Sequence, residues 1–418
     1  MEFTHSARSL ELQRRVADLI DRWVLPANPE WYRAVAAGDY PPAFLADLKA
    51  YAKSEDLWNF FLPSLGEDEP GIGLSHVEYA PLAELMGRVP WSAEVFNCSA
   101  PDTGNMELLK LFATPEQYRR WLRPQLEGEI RSAFAMSEPD VASSDATNIR
   151  TTICRDGDEY VVDGRKWFIT GVAHPDCRFV IVMGVSDSDE DAPRWSRHSM
   201  IIVPMDTPGL SVVRNIPLLG HVAPEGHCEL VFRDVRVPAD HLLGEEGQGF
   251  AMAQARLGPG RIHHCMRTIG QCEVALELMC DRALERRAFG HYLHSYANVQ
   301  QWIAESRLEI DQARLLVLHA AWKIDTEGNK GARAEVAGIK VVAARLQTRV
   351  LDRAIQLFGA MGLTPDTPLG EFFRWGRALR LLDGPDEVHL RTVARLELDR
   401  ARANPGRSSA YFTMPERL

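Results

Sequence analysis

Nowhere in the 418 residues do about 18 consecutive apolar residues occur, the least a membrane-spanning helix needs. Positive charge is not in excess: 47 Lys and Arg stand against 58 Asp and Glu, a formal net charge of −11. Neutralising a nucleic-acid backbone takes clustered Lys and Arg, so nucleic acid is not an expected partner. Cysteine is sparse, seven in all, scattered and without a C-x-x-C pair. That excludes a disulfide scaffold and offers no zinc or redox motif, and free thiols suit a reducing compartment. Residues 1–15 mix Glu2, His5, Arg8, Glu11, Arg14 and Arg15 with short apolar steps, unlike a signal or transit peptide, and the expected location is the cytoplasm.

What the chain does have is ordinary globular usage, 45% hydrophobic and 25% charged residues, in a length that suits roughly two to three domains. Leu12, Val16, Leu19, Ile20 and Trp23 recur at steps of three and four, one face of an amphipathic helix that Pro26 is expected to end. Similar spacing predicts helices over 44–51, 77–86 and 115–126, the last with Thr114 as cap and Pro115 at its first position. From Ser132 the texture is β-prone, with short runs over 149–154, 159–162, 179–185, 200–204, 210–213 and 229–237. The acidic stretch 186–191 reads as a solvated loop between two of them. Helical periods return over 250–287, 299–324, 332–358 and 385–402, lengths that point to a bundle. The predicted fold is α+β and multi-domain: an N-terminal helical domain (1–131), a central β-domain (132–243) and a C-terminal four-helix bundle (244–418).

Common site motifs are missing or out of context. The glycines of 244–249 lack the surrounding βαβ unit of a dinucleotide loop. Asp386-Glu387-Val388-His389 is not a zinc helix, His263 and His264 face different sides of their helix, and no G-x-S-x-G elbow occurs. No metal site is expected. Two segments resist a purely structural explanation. Residues 134–145 are rich in small hydroxyl residues and could approach a planar or phosphorylated ligand, although turn chemistry also accounts for them. Around Gly384 stand Asp383, Asp386 and Glu387. A turn at Asp383 and Gly384, with Pro385 starting the last helix and Asp386 and Glu387 in its first turn, explains these three, and so does a proton-abstracting loop.

Five separated segments, in order, resemble the acyl-CoA dehydrogenase superfamily along nearly the whole chain. They are Ser137-Glu138-Pro139 with Ser144-Asp145; Gly164-Arg165-Lys166-Trp167-Phe168-Ile169-Thr170; Asp234-Val235-Arg236-Val237-Pro238 with the glycines of 244–249; Arg286-Arg287-Ala288-Phe289-Gly290; and Gln356-Leu357-Phe358-Gly359-Ala360-Met361-Gly362. The form Asp383-Gly384-Pro385 is similar to that of the acyl-CoA dehydrogenase 10/11-like branch, where Asp replaces the usual catalytic Glu.

The resemblance implies FAD as cofactor and an acyl-CoA as substrate. Phe134, Met136 and Ser137 would contact the flavin, Phe168 and Thr170 would back it, and Ser144 would lie near the pyrophosphate or the CoA chain. Arg286, Phe289, Gln356 and Gly359 would hold the ADP part of FAD bound by a neighbouring subunit, which implies a homodimer or homotetramer. Pro385 and Glu387 would lie near the cofactor, Arg261 beside the catalytic loop, and Gly384 at the substrate. Asp383 would take the Cα proton while the Cβ hydride passes to flavin N5, giving a trans-2-enoyl-CoA, with an electron-transfer flavoprotein as acceptor. A desolvated pocket is expected to raise the Asp383 pKa. Asp is shorter than Glu by about 1.5 Å, so loop or substrate must sit closer. Two rivals stand beside this reading: a flavin oxidase of the same fold, nitroalkane oxidase-like, and a flavin-binding assembly protein without catalysis.

Overall fold

The structure is a computed structural model that describes residues 4–187 and 191–412. Its N-terminal part is helical: α1 (Ala7–Leu19), α2 (Leu25–Ala37), α3 (Phe44–Ser54), α4 (His76–Gly87), α5 (Ser92–Val95), α6 (Asp102–Phe112), α7 (Pro115–Gln117) and α8 (Arg123–Glu127). The stop expected at Pro26 does not occur. A π-helical turn over Ile20–Val24 carries the chain from α1 into α2, and Pro26 falls at the head of α2, where a missing N–H is tolerated. Thr114 does cap α7, in a reciprocal box with Gln117.

The middle part is one mixed sheet. Its strands are β1 (Arg131–Ala135), β2 (Thr152–Asp156), β3 (Glu159–Thr170), β4 (Cys177–Val185), β5 (His198–Pro204), β6 (Leu210–Asn215), β7 (His227–Pro238) and β8 (Leu242–Leu243). They run in the order β6-β7-β3-β2-β4-β5-β8, with β1 beside β4 and parallel to it. Side chains alternate across a strand. In β4, Phe179, Ile181 and Met183 enter the core shared with the helices, while Val180 and Val182 join Ile201, Leu230 and Phe232 on the opposite face. Residues 188–190 of the expected acidic loop lie outside the described residues.

The C-terminal part comprises α9 (Gly249–Glu285), a small hairpin of β9 (Arg287–Ala288) and β10 (His291–Tyr292), then α10 (Ala297–Gly331), α11 (Arg333–Phe358), α12 (Leu369–Leu379) and α13 (Asp386–Ala403). Helix α12 is additional to the four expected; its buried stripe of Leu369, Phe372, Gly376 and Leu379 occupies only 11 residues. Helix α9 packs on α4, α6, α10 and α11. Its crossing with α4 is backbone to backbone: a Cβ on Gly87 would lie 2.2 Å from the Arg267 carbonyl oxygen, and one on Gly270 2.1 Å from that of Glu84. Only glycine permits such an approach. No helix among the described residues is long and apolar enough to cross a membrane.

Candidate active site

The loop between α12 and α13 is held by side chains that donate to its backbone carbonyls. Buried Lys340 of α11 donates to the carbonyl oxygens of Leu379 and, at 2.7 Å, Leu382. Arg261 Nη2 (3.2 Å) and His389 Nε2 (3.1 Å) converge on the Asp383 carbonyl. Asp386, expected as a rival base, is buried and clamped through Oδ2 by Arg345 (3.2 Å) and Arg380 (3.0 Å). Glu387 is exposed. Helix α13 starts with Pro385 at its cap and no side-chain capping bond, so Asp383 is not its cap. Asp383 has φ 51, and Gly384 has φ 96. A Cβ at Gly384 would meet His389 Nε2 at 2.8 Å, so both torsion and space require glycine there.

These constraints leave the Asp383 side chain 26% exposed, with Oδ2 3.3 Å from His264 Nε2 of α9. Burial pushes its carboxyl up, but neighbouring positive charge, including the cations Arg256, Lys340 and Arg261, holds it below the usual carboxylate range. This corrects the expected rise: the pocket is desolvated, yet cations from two helices outweigh that effect. Burial pushes His264 down to about 4, so near neutral pH it faces the carboxylate as an uncharged ring.

Arg256 joins this cluster to the sheet. Its guanidinium stands 4.2 Å from the centre of the Phe134 ring in β1, and its Nε donates to Asn105 of α6 (3.0 Å). Behind it, both carboxyl oxygens of Glu107 are buried without a hydrogen-bond partner among the described residues. Burial pushes Glu107 up to about 8, against the pull of Arg256. Nearby, Tyr79 of α4 packs edge-on against His263, ring centres 4.7 Å apart, so the two adjacent histidines serve different surroundings.

A second group of expected residues meets where β1 and β3 end. Fully buried Lys166 donates to Met136 O (3.0 Å), Met183 O (2.7 Å) and Glu138 Oε1 (2.8 Å). Glu138 in turn accepts the backbone N–H groups of Arg150 and Thr151, both at 2.8 Å. Trp167 N–H donates to Ser137 O (3.0 Å). Phe168 is 42% exposed at φ 53, its ring 4.7 Å from that of Trp167, and Thr170 Oγ1 lies 2.9 Å from His227 Nδ1. A half-exposed aromatic on a rigid strand, next to a pinned loop, suits a flat heteroaromatic ring such as the expected flavin. Ser144 is exposed.

Arg286, Phe289, Gln356 and Gly359 do not join either group directly. All four are exposed, at the adjoining C-terminal ends of α9 and α11, where Arg282 lies over the Phe358 ring at 5.3 Å. Phe289 is 96% exposed, and Gly359, at φ 66, has open space where a Cβ would stand. Sequence reasoning passed over Lys166, Arg256, His264, Lys340 and His389 as site-building residues. One signal was present: Arg261, His264 and Arg267 recur at steps of three, which puts them along one face of α9.

Three family models cover the chain: acyl-CoA dehydrogenase N-terminal domain over residues 6–129, middle domain over 133–235 and C-terminal domain over 247–398. The chain is 52% identical to Probable acyl-CoA dehydrogenase FadE2 of Mycobacterium tuberculosis, over 96% of this chain and 98% of that protein. It is 50% identical to acyl-CoA dehydrogenase family member 10 of Mus musculus, over 93% of this chain but only 37% of the mouse protein. The chain thus spans about half or less of the animal relatives it matches. Butyryl-CoA dehydrogenase from Megasphaera elsdenii superposes with a TM-score of 0.80 at 26% identity, covering 95% of this chain and 100% of that one. The same fold is solved with FAD bound in PigA, at a TM-score of 0.82 and 21% identity over 96% of this chain and 100% of that one.

Proposed function

The chain belongs to the acyl-CoA dehydrogenase family of FAD-dependent oxidoreductases, and from that membership we propose that it desaturates an acyl-CoA thioester between Cα and Cβ with Asp383 as the base. The observation that carries this reading is the contrast among the three acidic residues around Gly384. Asp386 is clamped by two arginines and Glu387 faces solvent, while Asp383 alone turns toward the buried cations of α9 and α11.

FAD, when bound, supplies the acceptor for the Cβ hydride. The chain's own residues bind, orient and move the proton. A carboxylate held below its usual range is ionised near neutral pH and ready to accept the Cα proton at an Asp383 oxygen. The Asp383 backbone N–H is assigned to the thioester oxygen, where a fixed donor stabilises the charge that develops as the proton leaves. Because Lys340, Arg261 and His389 fix the loop's carbonyls, the backbone sets how far this short side chain reaches.

Phe134, Met136, Ser137, Phe168 and Thr170 form the flavin side in this reading, with Lys166 and Glu138 pinning their loop, and Pro385 and Glu387 near the cofactor. Ser144, Arg261 and Gly384 belong to the substrate side. The exposed Arg286, Phe289, Gln356 and Gly359 serve FAD of a second copy, so the working form is a homo-oligomer. An electron-transferring flavoprotein is the assigned acceptor, and the division at 131/132 and 243/244 belongs to the same reading. The test is anaerobic titration of the FAD-bound protein with acyl-CoAs of differing length, branching and hydroxylation. Bleaching by at least one of them, followed by slow reoxidation in dioxygen, supports the proposal. Bound FAD that none of them bleaches, or reduced flavin that dioxygen reoxidises within a turnover, overturns it.

A further inference from the structure

The side of the Asp383 carboxylate that faces α9 meets one uncharged group among several cations. His264 Nε2 lies 3.3 Å from Oδ2. At the other edge of the ring, Arg267 Nη2 points at Nδ1 from 3.4 Å, while its Nη1 donates to the Cys98 carbonyl at 3.0 Å. A guanidinium has donors and no acceptor. Nδ1 must therefore accept, and the single proton of the neutral ring must sit on Nε2, facing the carboxylate. The long Nε2–Oδ2 distance is of the kind that tightens when substrate arrives.

We propose that His264 is a positioning residue for Asp383: its ring, locked by Arg267 as the Nε2–H tautomer, engages Oδ2 and leaves Oδ1 as the oxygen that takes the substrate proton. The inference rests on the reading of Asp383 as base. An alternative cation at this point would bind the carboxylate as a full ion pair and weaken it as a base; a neutral donor orients it at smaller cost to basicity. The surrounding charges are already numerous. Asp383 is faced by Arg256, Arg261 and Cys265 from α9, by Lys340 from α11, and at its carbonyl by His389 from α13. His264 is faced by Asp383, Arg267, Lys340 and Arg256, and by the Trp375 ring of α12 at 6.4 Å.

The test compares two amides of different reach. In His264→Gln the side-chain nitrogen can occupy the place of Nε2; in His264→Asn it stops near the place of Nδ1. The readout is the rate of anaerobic flavin bleaching by a saturating acyl-CoA across pH, together with FAD content and the acyl-CoA dissociation constant. A donor to the ionised carboxylate lowers its pKa, on the order of one pH unit for a hydrogen bond to a charge. His264→Asn should move the acid-side midpoint up by about that amount and slow bleaching by about 10- to 100-fold, the scale of a misplaced reacting group, with little change in acyl-CoA affinity. His264→Gln should restore most of both. A merely structural histidine predicts that both variants lose stability and that neither moves the midpoint, which overturns the inference.

Asp383→Asn run alongside keeps the two levels apart. If it bleaches at a near wild-type rate, the base has been misassigned. If it is dead while His264→Asn keeps the wild-type midpoint, only the role of His264 falls. The wild-type holoenzyme gives a readout that no folding failure can remove: histidine-selective 15N NMR near neutral pH, with the His264 signals identified by their loss in His264→Gln. A neutral ring protonated at Nε2 is expected; an Nδ1-protonated or doubly protonated ring overturns the proposal.

Discussion

Replacing Glu107 by Gln should stabilise this protein, and increasingly so as pH rises. In the folded chain burial pushes the Glu107 carboxyl up to about 8 from its ordinary 4.5. Below the lower value both folded and unfolded states hold the proton, and nothing is lost. Between the two values the unfolded chain releases a proton that the folded chain keeps, so stability falls as pH rises, by about 1.4 kcal/mol per pH unit. Near neutral pH the accumulated loss is on the order of 3 kcal/mol, and it levels off only above the folded-state value. Gln has nearly the shape of the protonated acid and does not titrate, so the variant escapes that loss. Thermal unfolding of the FAD-saturated wild type and Glu107→Gln, at about pH 5 and about pH 8, measures the gap. The variant should melt close to wild type at the lower pH and several degrees above it at the higher. A gap that fails to widen with pH, or a variant less stable at both, would mean that Glu107 is ionised and paired in the fold, and the burial argument fails.

Asp383→Asn should keep its FAD yet bleach at least about 10²-fold more slowly, the scale of general-base catalysis, while Glu387→Gln stays near wild type in the same stopped-flow measurement. Gly384→Ala must place a Cβ 2.8 Å from His389 Nε2 at a φ of 96. It should cost about 1–3 kcal/mol of stability, read as a lower unfolding midpoint, and it should slow bleaching as the loop shifts. Lys166→Met leaves Met136 O, Met183 O and Glu138 short of a buried donor. That should destabilise the fold by several kcal/mol and weaken FAD binding in a fluorescence titration; retained affinity would show that the loop holds without its lysine.

Short β-prone apolar runs in β4 and β5, a three-to-four-residue stripe in α1 and long helical stretches after Gly249 are local signals, and they made the helix, sheet, helix order legible in the sequence. The turn at Asp383 was legible too, because a glycine and a proline beside a carboxylate mark it, although its candidacy as base came from the family resemblance. Pro26 misled because a π turn rearranges the hydrogen bonds before it, an accommodation with no composition signature. The parallel pairing of β1 with β4 joins strands some 40 residues apart, beyond any local window. The same distance hid the site's electrostatics. Whether the Asp383 pKa goes up or down depends on Arg256, Arg261 and Lys340, which look like ordinary helix-surface residues until folding buries them. Glu107 and Lys166 were invisible for the same reason.

The paired glycines where α4 crosses α9 set limits on redesign. Arg267, whose carbonyl meets Gly87, also carries the guanidinium that faces His264, so the seam and the proton-handling cluster share one residue. With the two backbones in contact, α9 has no slack: it can neither slide along α4 nor roll on it without collision. An engineer who wants a different acyl specificity cannot widen the cleft by moving this helix, since any shift would carry His264 and Arg261 away from the Asp383 loop. Variation has to come from exchanging side chains on a fixed axis, and libraries should leave residues 87 and 270 untouched.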